Sequence, residues 1–163
     1  NNGMPSRSPS PKSPLLESQL QKDKSYFAKY NNDSLSRLNK PNHISNNKKV
    51  LILGDSHGKD FINIFSHIEG IENYELQILR TRSFCQVIYG VDFKKYRTKI
   101  RKNWLKRCQE FHDKMNKSRK IELADIIVFS GSWSNHGAKW FDASVKNIKE
   151  KNPTAKILPV TIV

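Results

Sequence analysis

Lys48-Lys49-Val50-Leu51-Ile52-Leu53-Gly54 runs directly into Asp55-Ser56-His57-Gly58-Lys59-Asp60. The first seven residues form a short apolar run closed by glycine, which predicts a buried strand. Past the turn, Phe61, Ile64, Phe65 and Ile68 recur at steps of three and four, the spacing of an amphipathic helix. A buried strand feeding a helix begins a strand–helix–strand unit, and the rest of the chain is read outward from it.

Tyr74–Leu79 predicts a second strand, followed by a loop with Cys85 and Gly90. From Phe93 the apolar positions Tyr96, Ile100, Trp104, Cys108, Phe111 and Met115 predict one long helix with a core-facing stripe. That stripe reads as core, not as a cofactor box. Asp125–Ser130 predicts a third strand, and Ala138, Phe141, Val145 and Ile148 another helix. Lys156–Val163 predicts a fourth strand, in which Pro159 is a weakening residue. Such alternation predicts an α/β fold, a parallel sheet flanked by helices on both faces. Ligands bind these sheets at the carboxyl ends of the strands, here Gly54–Lys59, Arg80–Cys85 and Gly131–Gly137.

The 163 residues carry 29 Lys and Arg against 15 Asp and Glu, a net charge of +14. Residues 1–49 hold nine basic and three acidic groups and five of the seven prolines. Residues 1–47 therefore read as a disordered or weakly ordered basic linker, with a short helix around Leu16–Tyr30, and 48–163 as the folded part. A second basic excess, +9, falls within 91–120. It fits an anionic partner (nucleic acid, an anionic membrane surface or a glycan) or a solvated helix face. No zinc-finger, RNP or bZIP pattern points to nucleic acid. No run of 18 apolar residues spans a membrane. Two cysteines exclude a disulfide-dense scaffold, and no H-x-x-x-H, C-x-x-C or acidic cluster predicts a metal. The start at Asn1-Asn2-Gly3 reads as a segment of something longer.

The chemistry concentrates at Gly54–Asp60. Gly54, Gly58 and Lys59 suggest a shortened phosphate loop, but one residue is lacking and Asp60 stands where the metal-binding hydroxyl belongs. Alternatively, Ser56 is a nucleophile on the strand-to-helix turn, with backbone N–H groups and the helix dipole facing a developing oxyanion. In a third reading Ser56 or Asp55 caps the helix.

Four blocks, in order, resemble one family: Leu51–His57, Ser83-Phe84-Cys85, Cys108-Gln109-Glu110-Phe111, and Ala124–Trp133. Together they are similar to the SGNH, or GDSL-type, hydrolases. The match is closest to the extracytoplasmic SGNH domain fused behind the membrane acyltransferase part of polysaccharide O-acetylating proteins. The resemblance covers 48–163 and implies a partial flavodoxin-like SGNH fold. It makes Ser56 the nucleophile and part of the oxyanion hole, with Gly90 and Asn135 as the further oxyanion candidates. Trp133 stands where the family has Asn, and would wall the acyl or sugar pocket or pack against the sheet. His136 would contact substrate or serve as a base, or is an exposed loop histidine. The family's Asp-x-x-His block is absent, since none of the eight aspartates has His three residues later. The chain is therefore expected to be truncated before that block and catalytically incomplete. The two family cysteines match Cys85 and Cys108, implying a disulfide in an oxidising compartment, with two reduced thiols as the other reading.

The function implied is that of a bacterial O-acyltransferase, moving an acetyl or other acyl group to a cell-surface polysaccharide at the outer face of the cytoplasmic membrane. Residues 1–47 would be the tether, and the membrane part would deliver the acyl donor, with no further cofactor. Two alternatives remain. One is a glycan O-acetyl esterase using the same Ser56. The other is a non-catalytic basic module holding acidic glycan or nucleic acid.

Overall fold

The computed structural model describes Lys29 and residues 47–65, 67–86, 88–96, 100–131 and 135–160, the side chains of Asn135 and His136 excepted. The linker as a whole, the Leu16–Tyr30 helix, Trp133 and the end of the fourth strand lie outside the described residues. The elements run β1 (Lys48–Gly54), α1 (Ser56–Phe65), β2 (Tyr74–Arg80), α2 (Phe93–Tyr96), α3 (Leu105–Asn116), α4 (Lys120–Leu123), β3 (Ile126–Ser130), α5 (Asn135–Ala138), α6 (Phe141–Lys151) and β4 (Lys156–Val160).

The strands form one parallel sheet in the order β2-β1-β3-β4. β1 is central, so both its faces are covered, which is why its apolar residues are consecutive. Val50 and Ile52 pack with Ile62, Leu76 and Val128 under α1. Leu51 and Leu53 pack with Met115, Ile121, Ile127, Phe129 and Ile148 on the opposite face. Each such buried side chain contributes roughly 2 kcal/mol. From β1 the chain steps one way across the sheet to β2. It then returns across β1 to β3 and continues to β4. Right-handed crossovers put helices reached by opposite steps on opposite faces, and the two clusters show that division. The reversal falls between β1 and β3, so their carboxyl ends open the crevice where such sheets hold ligands.

Two expectations are corrected. In α1 the side chain wholly buried is Ile62, while Ile64 is 64% exposed and Ile68, beyond the end of the helix, is 50% exposed. A Cβ on Gly58 would lie 3.3 Å from Ile52 Cγ2 and 3.5 Å from Ile78 Cδ1. The helix therefore lies closest to the sheet at Gly58, and the line through Gly58, Ile62 and Phe65 turns Ile64 outward. Second, the long helix from Phe93 is broken into α2, a 3₁₀ turn at Lys102–Trp104, and α3. Arg101 between them is extended, with φ −58° and ψ 139°. Six of the nine residues 94–102 are basic, and like charges at i, i+4 disfavour a continuous helix. The fourth strand is present as expected: β4 takes Pro159 opposite Phe129 at the edge of the described sheet, where proline is tolerated.

A third apolar cluster lies beside the sheet and contains Cys85, Ile88, Val91, Phe93, Tyr96 and Cys108. Cys85 and Cys108 form a disulfide, with Cα atoms 5.1 Å apart and a separation of 23 in sequence. Tyr96 donates its hydroxyl to the Cys85 carbonyl at 3.1 Å, and burial raises its pKa above the ordinary phenol. Closing a loop of this length stabilises by about 3 kcal/mol. Reduction, or replacing both cysteines by alanine, is expected to lower the melting temperature by roughly 10 °C or more. Thermal scans with and without dithiothreitol check this.

His112 of α3 adds a pH dependence. Asn116 accepts the Gly90 N–H through Oδ1 at 2.9 Å, so its Nδ2 is the atom 3.0 Å from His112 Nδ1. The imidazole therefore accepts there as the neutral ring. Burial holds its pKa below the ordinary 6.5, outweighing Asp113, the Val91 carbonyl and Asp92, which pull upward. The unfolded chain then binds the proton more readily, so stability falls as pH drops through 6.5. The melting temperature is expected to fall between about pH 7.5 and 5.5, and the His112→Gln variant to fall less over the same interval.

Candidate functional site

Gly54 brings the turn together. A Cβ there would overlap the Ser130 carbonyl oxygen and come within 3.2 Å of Gly58 Cα. Only glycine lets the end of β1 lie this close to β3 and to the first turn of α1. The Gly54 carbonyl accepts the Thr81 N–H at 2.8 Å, which fixes the chain leaving β2 against the same turn.

Asp55 is 3% exposed, and its Oδ1 accepts the His57 N–H at 3.0 Å. It is thus the N-cap of α1, with Ser56 the first residue of the helix. Sequence left the cap open between Asp55 and Ser56, and the carboxylate takes it. The Ser56 side chain is left exposed at the carboxyl edge of the sheet, with no hydrogen bond among the described residues. The hydroxyl stands at the start of a ten-residue helix, where the His57 N–H is already donated to Asp55. Gly131 lies beside Asp55, where an added Cβ would sit 3.6 Å from the carboxylate. Ser130, wholly buried behind it, has an Oγ without a hydrogen-bond partner among the described residues.

The phosphate-loop reading fits this arrangement poorly. A phosphate cradle needs open N–H groups, and here a buried carboxylate occupies the mouth. Lys59 is 5% exposed, facing inward instead of reaching over the loop. Burial lowers its pKa, assisted by Arg80 and opposed by Asp60. His57 turns away from Ser56 toward Asp60, Nδ1 to Oδ2 3.7 Å.

The remaining sequence candidates are distributed as follows. The Gly90 N–H is donated to Asn116, and the neighbouring Tyr89 backbone is held between Ser144 Oγ and Asn147 Nδ2. Gly90 has φ +68°, and an added Cβ would lie 2.7 Å from the Asn147 side chain, so this glycine serves the packing of α6 against the loop. Its N–H points to Asn116, not to a ligand. Asn135 and His136 open α5 on the loop after β3, which is the ligand-binding edge of the sheet. Next to them Gly137 packs against the Gln86 amide, joining the loops after β2 and β3. Gln86 itself has φ +54°, and its amide donates to the Ser83 carbonyl. Sequence reasoning passed over Gln86, because nothing in a Cys-Gln step announces a left-handed backbone. It also passed over Thr81, whose part is played by its backbone. Among the described residues no group of three His, Cys, Asp or Glu is placed to hold a metal. No helix among them is long and apolar enough to cross a membrane.

The arrangement can therefore present one exposed hydroxyl, at a helix start, in the crevice where the sheet reverses. The family described as the SGNH domain fused to AT3 domains matches residues 21–157. Neither a curated protein nor a solved structure matches the chain.

Proposed function

This chain belongs to the SGNH domain family, in the form fused to AT3 domains, and on that premise we propose that it serves acyl transfer with Ser56 as the acyl acceptor. The carrying observation is the division of labour at the first turn of α1, where Asp55 caps and Ser56 stays exposed. Ser56 Oγ attacks the acyl carbonyl, and the tetrahedral oxyanion is stabilised by the Ser56 N–H. A general base takes the hydroxyl proton; in the family pattern this is the His of the Asp-x-x-His block, which these 163 residues do not contain. Collapse of the intermediate expels the donor and leaves a seryl ester. A sugar hydroxyl then attacks that ester, carries the acyl group away and restores Ser56.

Fusion to AT3 domains supports a membrane acyltransferase partner, which supplies the donor. The Cys85–Cys108 disulfide supports the extracytoplasmic face as the site of action, since such bonds persist in oxidising compartments. The acceptor in this reading is a cell-surface polysaccharide. The test is the acyl content of surface polysaccharide in cells whose full-length protein carries Ser56→Ala. Loss of the acyl group is expected. Unchanged content overturns the reading, and a rise in content replaces transfer by esterase action.

A further inference from the structure

Two cavities lie along the seam between the end of β2 and α3, and both are rimmed by cations. The first, about 260 Å3, is lined by Phe84, Ile100, Arg101 and Trp104. The second, about 180 Å3, is lined by residues that include Arg80, Thr81, Phe111 and Lys114. Trp104 and Phe111 are seven residues apart, which along a helix is roughly 10 Å.

The first cavity is a braced structure. Phe84 packs at a 39° tilt against Trp104 with ring centroids 4.3 Å apart, and the Arg107 guanidinium lies 5.3 Å from the Trp104 ring centre. Phe84 precedes Cys85 and Trp104 comes one helical turn before Cys108, so the disulfide pins both rings. Phe84 nevertheless stays 38% exposed. Ring surface with the Arg101 guanidinium in the same cavity wall suits a ligand with an apolar ring face and a carboxylate, because Arg binds carboxylates in a planar, bidentate way. The second cavity repeats the pattern with Arg80 and Lys114.

We propose that this seam is the acceptor subsite, binding an acidic polysaccharide whose carboxylates meet Arg101 in one cavity and Arg80 and Lys114 in the next. The inference deepens the acyl-transfer reading by naming the acceptor's chemistry. Two separate cavities, each with a ring and a cation in its wall, call for an oligomer, not a single sugar. Arg80 is the cross-strand partner of Gly54, two residues before Ser56. Phe84 lies four residues past Arg80, so the chain path limits its separation from Ser56 to roughly 27 Å. A bilayer is the other anionic partner, but it meets flat or convex faces, and these residues line recesses with the two rings locked onto each other.

The test is calorimetric titration of the full 163-residue chain with hexagalacturonate, maltohexaose and phosphatidylglycerol vesicles. Saturable binding of hexagalacturonate, weakening with salt, and none of neutral maltohexaose are expected. The double variant Arg101→Gln/Lys114→Gln changes only exposed side chains and should weaken binding by about tenfold or more. Ser56→Ala should bind like the parent, so this assay succeeds or fails independently of acyl transfer. Absence of hexagalacturonate binding overturns the proposal, as do equal binding of maltohexaose and indifference to the double variant. Binding of vesicles without hexagalacturonate makes the seam a membrane-facing surface and overturns it too.

Discussion

Gly54→Ala is expected to abolish the folded state at 37 °C, or to lower its melting temperature by about 15 °C or more. The added methyl overlaps the Ser130 carbonyl oxygen, sits 3.1 Å from its carbon and 3.2 Å from Gly58 Cα. All three atoms are backbone, so no rotamer change relieves the overlap. Relief requires opening the β1–β3 ladder at its last pair, Gly54↔Ser130, or lifting α1 from the sheet. Either movement disturbs β1, whose Val50 to Leu53 are each at most 1% exposed. Overpacking against flexible side chains costs about 1–3 kcal/mol, and against fixed backbone about 4 kcal/mol or more. That is a large part of a typical domain stability. Gly131→Ala is the control on the other side of Asp55. Its methyl meets only the carboxylate, at an ordinary 3.6 Å, so the melting temperature should move by a few degrees at most. Circular dichroism melts of the two variants measure the contrast. A Gly54→Ala chain melting with the parent would show that β3 does not approach this turn as described.

The contrast between the two glycines marks what the sequence makes legible. β1 is readable because a strand buried on both faces must be apolar at every position, and Val50–Leu53 meets that condition in one uninterrupted run. The order of strands and helices follows from the same logic. The register of α1 is not readable in that way. Periodicity counts apolar residues, whereas the position of Gly58 over Ile52 and Ile78 decides which of them turn inward. The break at Arg101 is hidden for a related reason. The apolar stripe from Tyr96 to Met115 has helical spacing throughout, and what interrupts it is repulsion among the intervening lysines and arginines. Gly90 shows the limit for a site residue. A glycine after the second strand fits an oxyanion donor by position, but the residues that claim its surroundings, Asn116 and Asn147, lie 26 and 57 positions downstream. The disulfide rested on resemblance alone, because two cysteines in a chain carry no pairing information of their own. Ser56 and Asp55 were both legible as candidates, and only the hydrogen bond from His57 assigns the cap.

That assignment separates function from stability at adjacent positions. Ser56→Ala is expected to reduce acyl transfer by about a thousandfold or more, since removing a nucleophile removes the covalent route outright. Its melting temperature should stay within about 2 °C of the parent, because the exposed hydroxyl gives up no hydrogen bond among the described residues. Asp55→Ala should do the reverse at first. Loss of a buried cap costs about 1–2 kcal/mol, or roughly 5 °C or more for a domain of this size. Activity should then fall as well, because the first turn of α1 holds both the hydroxyl and the Ser56 N–H assigned to the oxyanion. Asp55→Asn retains a capping oxygen and should recover most of the stability. The three variants, melted by circular dichroism and assayed for polysaccharide acylation in the full-length protein, distinguish the roles. If Ser56→Ala melts early while acylation survives, Ser56 is a structural residue and the nucleophile lies elsewhere. If it melts with the parent and acylation is lost, the exposed hydroxyl at the start of α1 is the group that carries the acyl chain.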